Sequence, residues 1–139
     1  MVFIRLITLV FSLALFSLAP AWAAGAKSPE ALAMVLASAY RSGDVAGIVA
    51  MHHFVATQSA SVAEQRATAR HDWRRLVQQY QLSGYRVSML SASDRRLDHH
   101  GLKPVRTLVI NLVERHGAEK YSAKHLVANI SGSYFFISR

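Results

Sequence analysis

The spacing of the apolar residues changes at one point in this chain, and that change limits the folds open to it. Before Gly84, apolar residues recur every three to four positions, which indicates amphipathic helices. After Gly84 they alternate with polar residues, which indicates strands. Helices gathered before a run of antiparallel strands predict an α+β domain with the helices on one face of the sheet.

Two helices are predicted at the start of this domain. Ser28 and Pro29 form a helix start, with Ser28 as the N-cap, and Gly43 ends the helix in a left-handed conformation. Asp44 then caps a shorter second helix that runs to about His52.

The third predicted helix is the longest, from Val62 to about Leu82. Ser61 and Glu64 form a capping box at its start, and Gly84 is expected to stop it. Its apolar positions lie on one stripe: Val62, Ala69, Trp73, Leu76, Val77 and Tyr80.

The second half of the chain predicts four strands joined by turns. They are Tyr85–Leu90, Val105–Arg115, Lys120–Ile130 and Tyr134–Ser138, with a polar loop from Ser93 to Pro104. Gly117 and Ala118 fit a two-residue type II′ turn. That turn would place His125 opposite Ile110, on the apolar face of the sheet.

The first 23 residues have the layout of a secretory signal peptide. Arg5 precedes an apolar run from Leu6 to Leu18, Pro20 breaks the run, and Ala21 and Ala23 are the small residues that a signal peptidase reads. The run is shorter than the ~20 apolar residues of a membrane-spanning helix. We expect cleavage near Ala23 and export to the periplasm, with an uncleaved N-terminal anchor as the alternative.

Residues 24–139 then form a single α+β domain with no further transmembrane span. The chain has no Cys, which excludes disulfides, thiol catalysis and thiolate metal sites and suits a bacterial periplasm. It has 16 Lys and Arg against 8 Asp and Glu. This excess favours an acidic protein or an anionic envelope surface as partner, or is simply the basic character of many envelope proteins. Nucleic acid fits the charge but not the compartment.

Three landmarks resemble the nuclear transport factor 2-like superfamily. They are the end of the first helix from Ala39 to Val45, the long helix carrying Trp73, and the final hairpin from Ser131 to Phe136. The resemblance implies a cone, in which three N-terminal helices pack on a curved antiparallel sheet of about four strands. It also implies a pocket at the wide end and pairing of some members as homodimers. Members include both enzymes and binding proteins, and no catalytic motif of the enzymes matches this chain.

Four residues are candidates for lining such a pocket: Tyr40, Trp73, Tyr121 and His125. The aromatic residues lie at core spacing, so ordinary packing is the alternative. His125 could act as a general base in an isomerase or hydrolase. It could equally be a core histidine satisfied by one hydrogen bond.

A second candidate surface is basic. Its residues are Arg66, Arg70, Arg74 and Arg75 on the long helix and Arg95 and Arg96 in the following loop. Arginine suits docking to carboxylates or phosphates, as in an inhibitor or assembly module. An ordinary solvated helix face, with Glu64 and Asp72 as ion-pair partners, is the alternative.

The two histidine pairs, His52–His53 and His99–His100, do not predict a metal site, because neighbours in sequence rarely coordinate one ion. We expect neither metal nor cofactor. The sequence therefore predicts an exported domain that binds a small apolar ligand or a protein partner. A pocket enzyme using His125 and an interaction module using the arginines are the alternatives.

Overall fold

The computed structural model describes residues 25–97 and 99–137; the predicted signal peptide, Asp98 and the end of the last predicted strand lie outside this part. The helices are α1 (Pro29–Ser42), α2 (Val45–Ala50), α3 (Val62–Gln79) and α4 (Ala92–Arg96). The strands are β1 (His52–His53), β2 (Tyr80–Ser88), β3 (Pro104–Glu114), β4 (Lys120–Ile130) and β5 (Ser133–Ile137). The α+β class is confirmed.

The sheet has the strand order β1-β5-β4-β3-β2, and all its pairs are antiparallel except β1 with β5. The described part thus has one strand and one helix more than predicted. The extra strand is His52–His53, which pairs with Phe136 and Ile137 and is too short to show a period of two. The extra helix, α4, lies within the predicted polar loop.

The predicted helix starts are confirmed by their hydrogen bonds. The Ala31 N–H donates to Ser28 Oγ, and Gly43 ends α1 with a φ of 72°. At the start of α3, the Glu64 N–H donates to Ser61 Oγ while the Ser61 N–H donates to the Glu64 carboxylate. These local signals act within a few residues, so the sequence alone is enough to place them.

The predicted end of α3 is wrong by three residues. The helix ends at Gln79, and Tyr80 is already extended, with φ −126° and ψ 145°. Leu82 then pairs with Leu112 of β3, and Gly84 lies inside β2 instead of stopping a helix. The Tyr40 hydroxyl donates to the carbonyl oxygens of Leu76 and Tyr80, each at 2.9 Å. The apolar residues keep their helical spacing past Gln79, but the contacts with α1 and β3 end the helix there.

The predicted β3–β4 turn is also wrong. The Glu114 N–H donates to the Glu119 carbonyl oxygen at 3.0 Å, so four residues form the loop. Gly117 does not adopt the positive φ that a type II′ turn requires at its first central position. His125 consequently lies opposite Leu108 and not Ile110. A shift of two residues keeps every side chain on its predicted face, so His125 still points inward.

The core lies between the three N-terminal helices and the inner face of the sheet. The helices and the residue after α2 contribute five large, fully buried side chains: Leu32, Leu36, Tyr40, Ile48 and Met51. The sheet contributes Leu108, Ile110, Leu112, Val127 and Phe136. A smaller cluster lies on the outer face, where Leu90 and Leu102 pack on Leu126, Ala128 and Ile137. Within residues 25–97 and 99–137, no helix has the length and apolar character needed to cross a membrane.

Candidate functional site

A cavity of about 1000 Å³ lies between α3 and β4. One wall is the part of α3 from Glu64 to Leu76, and the opposite wall is β4 from Tyr121 to His125. His52 and Phe54, which follow α2, close one end. Trp73 is the one residue of α3 that is fully buried, whereas Ala69 and Leu76, about one turn away on either side, are only partly buried and line the cavity.

Trp73 forms the floor of this cavity. Its side chain is 3% exposed, and its ring stacks on the His125 ring with centroids 4.9 Å apart and planes 27° apart. Its Nε1–H donates to Nε2 of His52 at 3.0 Å. Helix α3 positions Trp73 through its apolar stripe, whereas β4 positions His125 by strand alternation.

His52 is held neutral by this arrangement. Because its Nε2 accepts the hydrogen bond from Trp73, its ring proton lies on Nδ1. Burial, together with a smaller effect of the neighbouring His125, lowers the pKa of His52 to about 3. The rings of His52 and His125 lie 6.2 Å apart, and both contact Phe136. We call His52, Trp73, His125 and Phe136 the aromatic cluster.

The walls above the aromatic cluster carry polar groups of both signs. Glu64, Asp72 and Arg75 line the α3 side of the cavity, whereas Lys124 borders the β4 side with its side chain turned to the outer face, opposite Val109. Arg66, on another face of α3, lies over the Phe54 ring at 5.8 Å. The site therefore combines an aromatic floor with a rim of mixed charge, which suits an apolar ligand that carries some polar groups.

The structure brings three of the four predicted lining residues together. Trp73, Tyr121 and His125 line the cavity, and Tyr121 is 46% exposed beside Tyr80. Tyr40 does not line it: it is buried in the core behind Trp73, with the two rings edge to face at 6.4 Å. Burial raises the pKa of Tyr40 to about 12, so its hydroxyl remains a hydrogen-bond donor.

His52 and Phe54 are the aromatic cavity residues that the sequence does not predict. In the sequence, His52 is one of an adjacent histidine pair at the end of a short helix, and Phe54 lies in a stretch without periodicity. Both reach the cavity because β1 pairs with β5, a contact between residues more than 80 positions apart. No local pattern could have indicated it.

The predicted basic surface is divided between two elements. Arg66, Arg70 and Arg74 are exposed on α3 and follow one another at intervals of four residues, so they share one side of the helix. Arg75 is also exposed but lines the cavity. Arg95 and Arg96 lie on α4, where Arg95 lines a separate cleft with His99 and Lys103.

In the part of the chain that the structure describes, no three His, Asp or Glu side chains are grouped as metal ligands would be. His52–His53 instead form β1, with His52 in the aromatic cluster and His53 beside Phe135. His99 is buried, with its Nε2 2.9 Å from the Asp94 carbonyl oxygen.

No family model, curated protein or solved structure matches this chain. Since a fold of this class supports many activities, its function has to be argued from the cavity and its residues.

Proposed function

We propose that this protein is exported to the periplasm and that its cavity between α3 and β4 binds a small apolar ligand, or an apolar part of a partner protein, without transforming it. The observation that carries this proposal is that His52 and His125, the two partly exposed members of the aromatic cluster, line a cavity of about 1000 Å³. Ligand pockets have volumes of ~300–1,000 Å³ and predominantly apolar or aromatic walls.

The state of His52 favours binding over catalysis. Its Nε2 is occupied by the Trp73 hydrogen bond and its pKa is about 3, so it is a poor proton acceptor at neutral pH. His52 is thus an uncharged ring, supported from behind by Trp73, on which an apolar group can pack. The resemblance to the nuclear transport factor 2-like superfamily implies a pocket at the wide end of the cone and so favours ligand binding.

Trp73 itself provides the test. The chain has two tryptophans, and Trp22 lies in the predicted signal peptide. The exported protein, or Trp22→Phe where that segment is retained, therefore has Trp73 as its single fluorescent reporter at the cavity floor. We expect p-cresol and cyclohexanol, two small apolar probes, to change Trp73 emission saturably. His125→Ala in this background should weaken probe binding by about tenfold, the equivalent of ~1.4 kcal/mol, while the protein stays folded.

Val109→Ala serves as the matched control, because Val109 lies on β3 but points to the outer face, away from the cavity. It should lower stability without altering probe affinity. If His125→Ala instead lowers the melting temperature and leaves probe binding unchanged, His125 is a core residue and the proposal is wrong.

A second candidate is a pocket enzyme of isomerase or hydrolase type with His125 as base. Asp72 and Glu64 line the same cavity and favour this candidate, because catalysis by His125 needs further polar groups in the cavity walls. A general base near a bound ketone would accelerate exchange of its α-protons with deuterated water. If the wild-type protein exchanges the α-protons of cyclohexanone faster than the His125→Ala variant does, catalysis is supported. Equal exchange rates would favour binding alone.

A further inference from the structure

We infer that the ligand of this cavity carries an uncharged oxygen acceptor on its apolar ring, and that the Nδ1–H group of His52 donates the hydrogen bond that selects it. This inference rests on the proposed function, because it assigns a ligand class to the same cavity. The proposed function needs only an apolar surface, whereas this inference needs a donor at one fixed place on that surface.

The hydrogen bond with Trp73 decides which nitrogen of His52 carries the proton. An indole N–H can only donate, so the Nε2 atom of His52, which lies 3.0 Å from Nε1 of Trp73, must accept. In a neutral imidazole the other nitrogen then carries the hydrogen. The fold therefore presents Nδ1 of His52 as a donor and never as an acceptor.

The neighbouring rings hold this donor in place. The Phe54 ring stacks on the His52 ring with centroids 5.7 Å apart and planes 15° apart, and the centroid of the Phe136 ring lies 5.4 Å away. The backbone of His52 is fixed as well, because β1 pairs with β5. The donor is thus positioned before a ligand arrives, which lowers the entropic cost of forming the hydrogen bond.

A ligand can reach Nδ1 of His52. Among the residues that the structure describes, the His52 ring makes one hydrogen bond, the one with Trp73. Nδ1 is also not among the side-chain atoms of this part that are sealed from solvent without a hydrogen bond. Since the side chain of His52 is partly exposed and lines the cavity, an oxygen acceptor in the cavity would satisfy this donor.

The surroundings of His52 favour an uncharged acceptor. A carboxylate ligand would leave water for a surface of aromatic rings on which His52 itself is neutral, and such a transfer is costly. The α3 wall adds two carboxylates, Glu64 and Asp72, against the single positive charge of Arg75. A ligand hydroxyl would bring a donor that needs an acceptor of its own, whereas a carbonyl-type oxygen only accepts.

Three para-substituted phenols test the ligand class. 4-Hydroxyacetophenone carries an uncharged acceptor, 4-isopropylphenol has a similar shape without the acceptor, and 4-hydroxybenzoate carries a charged one. Titrations of the full-length protein at neutral pH, followed by amide chemical shifts, give the three affinities. We expect 4-hydroxybenzoate to bind most weakly. If it binds most tightly, the ligand is an anion and the inference is wrong.

Two substitutions at His52 separate the hydrogen bond from the apolar contact. His52→Met keeps a weak acceptor for Trp73 but has no donor. Relative to the wild type, it should shift the affinity ratio of 4-hydroxyacetophenone to 4-isopropylphenol about fivefold towards 4-isopropylphenol, the effect of one neutral hydrogen bond. His52→Gln, which has both an acceptor and an N–H donor, is the control and should retain most of the wild-type ratio.

The ring nitrogens of the wild-type protein give a readout that needs no variant. Long-range ¹H–¹⁵N spectra should show the proton of His52 on Nδ1 in the free protein. The Nδ1 resonance should move more with 4-hydroxyacetophenone than with 4-isopropylphenol. A proton on Nε2, or equal shifts with the two compounds, would overturn the inference.

Failure of this inference is distinct from failure of the proposed function. If His52→Met leaves the affinity ratio unchanged while p-cresol still binds in the cavity, the donor of His52 selects nothing and the proposed function stands. If neither p-cresol nor the three phenols bind there, both are wrong.

Discussion

At the scale of single residues, Trp73 connects the stability of the fold with the candidate site. It belongs to the core cluster, stacks on His125, donates to His52 and contacts Tyr40 edge to face. Its burial follows from the helical stripe that the sequence predicts. Its hydrogen bond to His52 does not, because that bond depends on where β1 lies.

We expect Trp73→Ala to lower the free energy of unfolding by ~3–5 kcal/mol, as truncation of a buried aromatic side chain does. Urea unfolding followed by far-ultraviolet circular dichroism measures it, since the fluorescent reporter is removed. Trp73→Phe is the control, because it keeps an aromatic ring and removes the donor to His52. It should lower the free energy of unfolding by less than Trp73→Ala does. A loss well under ~1 kcal/mol for Trp73→Ala would mean that the residue is not packed as described.

His52 should make stability depend on pH. The folded protein holds its pKa near 3, below the usual value of 6.5, so the unfolded chain binds a proton that the folded protein does not. The free energy of unfolding should therefore fall as the pH is lowered from about 6.5 towards 3, by up to ~1.4 kcal/mol per pH unit.

His52→Gln keeps an acceptor for Trp73 without a group that titrates in this range, so its stability should change less between about pH 7 and pH 5. Urea unfolding at several pH values in that range compares the two proteins. If the free energy of unfolding depends on pH identically in the wild type and in His52→Gln, His52 is not held neutral by the fold.

At the scale of elements, the sequence is informative where a signal is local and fails where a contact is distant. The caps at Ser28, Gly43 and Ser61 lie where they are predicted, because each is decided by its neighbours in the chain. The end of α3 is misplaced, because the pairing of β2 with β3 decides it. The inner face of β4 was nevertheless predicted correctly, since a register error of two residues preserves alternation.

The capping box of α3 should contribute measurably to stability. Ser61→Ala removes the acceptor for the Glu64 N–H and should lower the free energy of unfolding by ~1 kcal/mol. Ser59→Ala is the control, because Ser59 is exposed and its hydroxyl hydrogen-bonds with the Thr57 side chain and not with a helix N–H. Urea unfolding compares the two variants, and equal stabilities would contradict the capping role of Ser61.

At the scale of the whole molecule, the basic excess and the cavity are separate features. The formal net charge is +8, yet the cavity rim combines Glu64 and Asp72 with Arg75. Composition predicts the first feature directly. Composition cannot predict the charge of the cavity rim, because the way that α3 lies on the sheet decides which of its charged residues face β4. The cone-like curvature and the exported location stay predictions.

The most direct test of the central claim is an amide chemical-shift map of the full-length protein titrated with p-cresol. We expect saturable shifts confined to α3 between Glu64 and Leu76, to β4 between Tyr121 and His125, and to His52 and Phe54. Saturable shifts centred instead on the outer-face cluster around Leu102 and Leu126, with the cavity residues unmoved, would contradict it.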